Sequence, residues 1–108
     1  MAVDLSNFLT QVKNAIDNNN YEVFDNRYKY RRTLALLGLT DQDVLDDIYD
    51  LNASDGLWCE PDLDARYPGD VWQCKKILHG TCIYIKLKIR EIDGNYLVVM
   101  SYHIDNMR

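Results

Sequence analysis

The stretch VWQCKKILHGTCIYIKLKIREIDGNYLVVMSYH, Val71 to His103, decides the fold, because it resolves into three strands joined by two short turns. Its middle strand alternates cleanly: Ile83, Ile85, Leu87 and Ile89 point one way, and Cys82, Tyr84, Lys86 and Lys88 the other. Asp93-Gly94 is the strongest hairpin signal in the chain, since tight hairpin turns favour residues that tolerate positive φ. As a two-residue turn it pairs Ile92 with Asn95, which sets Tyr84 opposite His103 and Lys86 opposite Ser101. With His79-Gly80 as the first turn, Leu78 pairs with Thr81, Lys75 with Tyr84 and Gln73 with Lys86. Cys74 then meets Ile85 and Trp72 meets Leu87 on the apolar side. Lys76 is a misfit there, directed coreward near the turn, where a bulge or a snorkelling side chain absorbs it. Gln73, Lys75, Tyr84, Lys86, Ser101 and His103 therefore share one face, a set suited to holding a phosphate and moving a proton. The plainer expectation for such a face is the wet side of a sheet whose apolar side packs on helices.

Upstream, the apolar period is helical. Leu5, Phe8, Leu9, Val12 and Ile16 make one face of a first helix that Asn18-Asn19-Asn20 ends. A polar stretch follows to Arg27. Leu34, Leu36 and Leu37 lie in a short second helix stopped by Gly38. Thr40 then caps a third, with acids in its first turn and Val44, Leu45, Ile48, Tyr49 and Leu51 toward the core. Its acids Asp43, Asp46, Asp47 and Asp50 read as a solvated face. From Asn52 to Asp70 the chain reads as a long irregular loop, and loops of that length are usually functional or mobile. The expected class is α+β, with N-terminal helices on a C-terminal antiparallel sheet of at least three strands, and residues 1–108 forming a single domain.

The totals exclude several classes. No apolar run approaches the roughly 18 residues of a membrane span, and the N-terminal residues do not read as a secretory leader. The 3 cysteines, Cys59, Cys74 and Cys82, form no CxxC pair, and with 2 distant histidines neither a zinc site nor any other cofactor is expected. Free thiols in a reducing cytoplasm are the simple expectation, with Cys74 and Cys82 as small buried fillers. The net charge of −5 hides an uneven distribution: residues 1–70 carry 14 acids against 6 bases, net −8, and residues 71–108 carry 3 against 6, net +3. The basic strands keep RNA open as a partner, because the local field governs a binding face.

The chain resembles the MqsR family of toxins from bacterial toxin–antitoxin systems. The likeness runs through FLTQVK (Phe8–Lys13), TLALLGLT (Thr33–Thr40) and the Asp-rich third helix. It is best in YPGDVW (Tyr67–Trp72), IYIKLKI (Ile83–Ile89) and VMSYH (Val99–His103). Their order and spacing carry it more than any one motif. The resemblance implies a RelE-like fold, a metal-independent endoribonuclease acting on mRNA, free or on the ribosome, and a cognate antitoxin that restrains it. By the same resemblance the family's sheet tyrosine falls on Tyr84, its glutamine on Gln73, and its basic residue closing the last strand on His103. The chain departs from the family in the loop, where Leu57-Trp58-Cys59 stands for a Tyr-Tyr-Lys or Phe-Tyr-Lys sequence and Cys59 takes the lysine's place. Either Arg66 or Lys75 substitutes for that lysine, or activity is weakened or lost.

The implied chemistry is attack by the RNA's own 2′-hydroxyl. Histidine titrates near neutrality, so His103 suits a general acid, or alternatively the base. Tyr84 would position or donate to the phosphate, with its pKa lowered by neighbouring lysines. Lys86 and Arg66 would stabilise phosphate charge, Gln73 would orient, and Trp58 would stack a base. Tyr102 alternates onto the core side, and His79 in the turn is expected to be exposed without a partner. Two rivals stand beside this. One is a non-catalytic interaction protein whose acidic half mimics nucleic acid; the other is a thiol enzyme using Cys59.

Overall fold

A computed structural model describes residues 4–63 and 69–107. The order of elements is α1 (Leu5–Asp17), β1 (Tyr21–Val23), α2 (Tyr28–Leu37), α3 (Asp41–Tyr49), a 3-10 turn (Ala53–Asp55), β2 (Trp58–Pro61), β3 (Asp70–Leu78), β4 (Thr81–Glu91) and β5 (Asn95–Ile104). The α+β expectation holds: helices on one side of a five-stranded sheet in the order β1-β5-β4-β3-β2.

Helix ends follow local chemistry. The Asp4 carboxylate accepts the Ser6 N–H at 3.3 Å to start α1, and Gly38, at φ +67°, closes α2 in the left-handed conformation. At α3 the Thr40 hydroxyl accepts the Asp43 N–H at 3.2 Å while the Asp43 carboxylate accepts the Thr40 N–H at 2.8 Å. Helix α2 is longer than the leucine pattern suggests. Its buried residues are Tyr30 and Thr33, and Leu36 is 57% exposed.

Phe8, Val12 and Ala15 of α1 and Val44 and Ile48 of α3 bury against Trp72, Cys74, Ile83, Ile85, Leu87, Leu97, Val99 and Tyr102 of the sheet. Phe8 stacks on Trp72 with ring centroids 5.0 Å apart. Removing that much apolar surface from water is the main driving force for docking the helices. Lys76, the coreward misfit, reaches the Asp55 carboxylate at 3.0 Å beside the 3-10 turn.

Three expectations are corrected. The C-terminal strands β2 to β5 pair antiparallel as expected, but the polar stretch before Arg27 adds β1, which makes the sheet mixed by running parallel to β5 with Glu22 opposite Val98. The backbone of Asn20 and Phe24 continues that pairing, Leu97 N–H to Asn20 O and Phe24 N–H to Val99 O, each at 3.0 Å. The Asn52–Asp70 segment is not all loop, since β2 within it pairs antiparallel with β3, Trp58 opposite Gln73 and Cys59 opposite Trp72.

The third correction concerns the β4–β5 turn. Glu91, not Ile92, pairs with Asn95, so the turn has three residues, with Asp93 and Gly94 both at positive φ. A bulge then shifts the register between Lys86 and Leu87: Leu87 faces Val99 but Lys86 faces Ser101, leaving Met100 as the extra residue. The two one-residue offsets cancel. Tyr84 therefore does face His103. The β3–β4 register is as expected from the His79-Gly80 turn, whose residues have φ of +53° and +79°.

Candidate functional site

The face of the sheet opposite α1 and α3 carries two rows of paired side chains. Trp58, Gln73, Lys86 and Ser101 form one across β2, β3, β4 and β5; Lys75, Tyr84 and His103 form the next. Residues directly opposite one another on adjacent strands share a face, so six of the seven expected site residues are brought together. The seventh, Arg66, lies outside the described residues.

His103 is half-buried, its ring 5.4 Å from the Tyr84 ring and tilted 48° to it. Its Nδ1 lies 2.9 Å from the Ile104 carbonyl oxygen. A carbonyl can only accept, so Nδ1 carries the hydrogen and the neutral imidazole presents its lone pair at Nε2. The Ile104 N–H is itself held by the Thr33 hydroxyl of α2 at 3.0 Å, which ties this end of β5 to a buried position.

The Tyr84 hydroxyl donates to Gln73 Oε1. Gln73, itself buried, donates through Nε2 to the Glu60 carboxylate at 3.1 Å. Glu60 on β2 thus ends a relay of three side chains and is the residue missed by sequence reasoning. Its strand sits in a stretch without alternation, and the only signal was its place two residues after Trp58.

Burial, and then the Glu60 and Asp105 carboxylates, raise the Tyr84 pKa. The expected lowering by lysines is therefore reversed in sign. Lys75 is half-exposed and lies 3.4 Å from Asp105, which offsets its charge. Lys86 forms no ion pair among the described residues, and Ser101 faces it. Tyr84 at neutral pH is a phenol, a hydrogen-bond donor rather than a base.

Cys59 does not belong to this face. It alternates with Trp58 onto the helix side and packs against the core, and burial followed by the Asp70 carboxylate raises its thiol pKa. Both facts oppose a thiolate nucleophile. A lysine at this position would also enter on the helix side. Cys74 is fully buried, its thiol pushed up to about 11, chiefly by that burial. His79 has a partner after all, its Nε2 lying 2.7 Å from Asp47 Oδ2. The same oxygen accepts from the buried Tyr102 hydroxyl at 2.6 Å, so Asp47 is a structural acceptor rather than a solvated surface charge.

No family model, curated protein or solved structure matches this chain. Among the described residues no helix is long and apolar enough to cross a membrane.

Proposed function

We propose that this chain is an MqsR-like endoribonuclease that cuts mRNA in the cytoplasm by 2′-hydroxyl attack and is restrained by a cognate antitoxin. The observation that carries the proposal is the pairing of Tyr84 with His103, whose Nε2 lone pair is left available by the Nδ1 contact to Ile104. His103 takes the proton of the 2′-hydroxyl as that oxygen attacks phosphorus. Lys86 offsets the charge gathering on the phosphorane. The P–O5′ bond breaks, and the leaving oxygen takes the Tyr84 proton, which leaves a 2′,3′-cyclic phosphate and a 5′-hydroxyl. The raised Tyr84 pKa supports this division of labour, giving the base role to His103 rather than the acid role first expected. Gln73 holds the phenol in place, and Trp58 offers an aromatic surface at the rim. The scheme assigns each proton transfer to a side chain and routes no step through a metal or cofactor.

Cleavage of a long single-stranded RNA in EDTA, free and on translating ribosomes, tests this directly. Wild type should cut and leave cyclic phosphate ends, with losses of about 10²–10⁴-fold in His103→Ala and Tyr84→Phe. Well-folded wild type that cuts neither substrate sinks the nuclease.

One observation favours a second reading, a non-catalytic acidic interaction protein. Two acids, Glu60 and Asp105, border the face, and Asp105 neutralises Lys75. Such a protein would bind no RNA at any salt concentration, whereas a nuclease should bind RNA steeply less as salt rises.

A further inference from the structure

Residues 1–70 carry 6 basic residues, and 4 of them, Arg27, Lys29, Arg31 and Arg32, fall within six positions at the start of α2. That is the wrong end of a helix for cations, since the backbone dipole is positive there. Helix α2 also has no acid in its first turn and no side-chain cap from Arg27, whereas α3 has both an acidic first turn and a full capping box. Helix stability therefore does not account for the composition of this segment. A local rule broken without local compensation points to binding.

The placement supplies the rest. Arg27, Tyr28 and Lys29 line a groove of about 370 Å³ whose other wall is Met100, Ser101 and His103 of β5. Arg27 Nη1 donates to the Met100 carbonyl at 3.2 Å, so the bulge residue anchors the guanidinium at the groove's edge. Tyr28 is 64% exposed, while Tyr30, two residues on, is buried and bonded to Asp41. Among the described residues neither Arg27 nor Lys29 is in an ion pair.

We propose that this groove is a subsite for single-stranded RNA, seating a nucleotide next to the phosphate at His103. Tyr28 stacks its base, and Arg27 and Lys29 neutralise flanking phosphates. An exposed aromatic beside cations that no carboxylate neutralises is the platform that single strands use, and His103 of the proton-transfer pair lines the groove. This deepens the nuclease reading and rests on it.

The test is fluorescence anisotropy with a fully 2′-O-methylated oligoribonucleotide of mixed sequence, which cannot undergo 2′-oxygen attack, so binding is read apart from cleavage. Tyr28→Ala should weaken binding by about 5- to 150-fold. Lys29→Ala should flatten the slope of log affinity against log salt by about 0.7. Leu36→Ala, at the far end of α2, should bind as wild type does, and circular dichroism confirms that each variant is folded. Wild-type affinity and salt slope in both groove variants overturn the subsite. So does loss of binding to poly-L-glutamate with RNA affinity unchanged, which would assign the groove to an acidic polypeptide. Cleavage by wild type with unchanged binding in the groove variants keeps the nuclease and removes the subsite. Groove-dependent binding by a wild type that cuts nothing keeps the subsite and removes the nuclease.

Discussion

The Thr33 hydroxyl accepts the backbone N–H of Ile104 at 3.0 Å, binding α2 to the residue that follows His103. Thr33 is fully buried, so its hydroxyl meets that N–H with little competition from water. Thr33→Val keeps the shape and removes the acceptor, and should cost about 1–3 kcal/mol in chemical denaturation. Thr33→Ser should recover most of it. If His103 acts as proposed, Thr33→Val should also lower RNA cleavage under conditions where the protein remains folded.

Asp47 holds two partners, the buried Tyr102 hydroxyl and the His79 ring. Asp47→Ala strands a buried phenol, with an expected loss of about 1–3 kcal/mol. Removing both ends in Tyr102→Phe/Asp47→Ala should cost less than the sum of the single changes. Strict additivity in that double-mutant cycle would show that the hydrogen bond contributes nothing.

The buried tyrosines contribute to the alkaline limit of stability, beside the buried thiols. Burial, first among the causes, raises the pKa values of Tyr30, Tyr84 and Tyr102 above the ordinary 10.0. In the unfolded chain these phenols ionise near 10.0 while the folded chain keeps them protonated. The stability they contribute is therefore complete below that pH and is lost as pH rises toward their folded values. Urea midpoints should fall above pH 10, less steeply in Tyr102→Phe.

Glu60 raises the Tyr84 pKa through its charge. In Glu60→Gln the phenol should ionise at lower pH, read as phenolate absorbance on titration against a Tyr84→Phe blank. An unchanged titration would mean that the relay through Gln73 does not couple the two. RNA cleavage should show no loss traceable to Tyr84 ionisation below pH 10.0 in the wild type.

Much of this was legible because strand pairing is arithmetic once a turn is known. His79-Gly80, with positive φ at both positions, set every pair from Trp72–Leu87 to Leu78–Thr81. Tyr84 opposite His103 was reached by a turn one residue too short, which the Met100 bulge offset. A bulge leaves little trace in Asn95–Ile104, where Leu97, Val98 and Val99 are buried in succession. Strands β1 and β2 were illegible for a different reason. With three and four residues they are too short for a period to show, and tertiary pairing decides them. Glu60 was missed along with β2. The sign of the Tyr84 shift was missed because lysine content is visible in a sequence, whereas burial and a carboxylate brought from another strand are not.

The two outer strands have a consequence for the molecule as a solute. A five-stranded sheet with a long open rim would invite other chains to extend it. Here the outermost strands are only Tyr21–Val23 and Trp58–Pro61, the second finishing on a residue with no N–H to give. Strand β1 covers only Leu97–Val99 of β5 and β2 only Asp70–Gln73 of β3. Past them Arg27 and Thr33 of α2 bond Met100 and Ile104 of β5, and the 3-10 turn holds Lys76 of β3, so a newcomer strand meets side chains there. The sheet can thus keep its central strands long, as a shared chemical face requires, without becoming a template for fibrils.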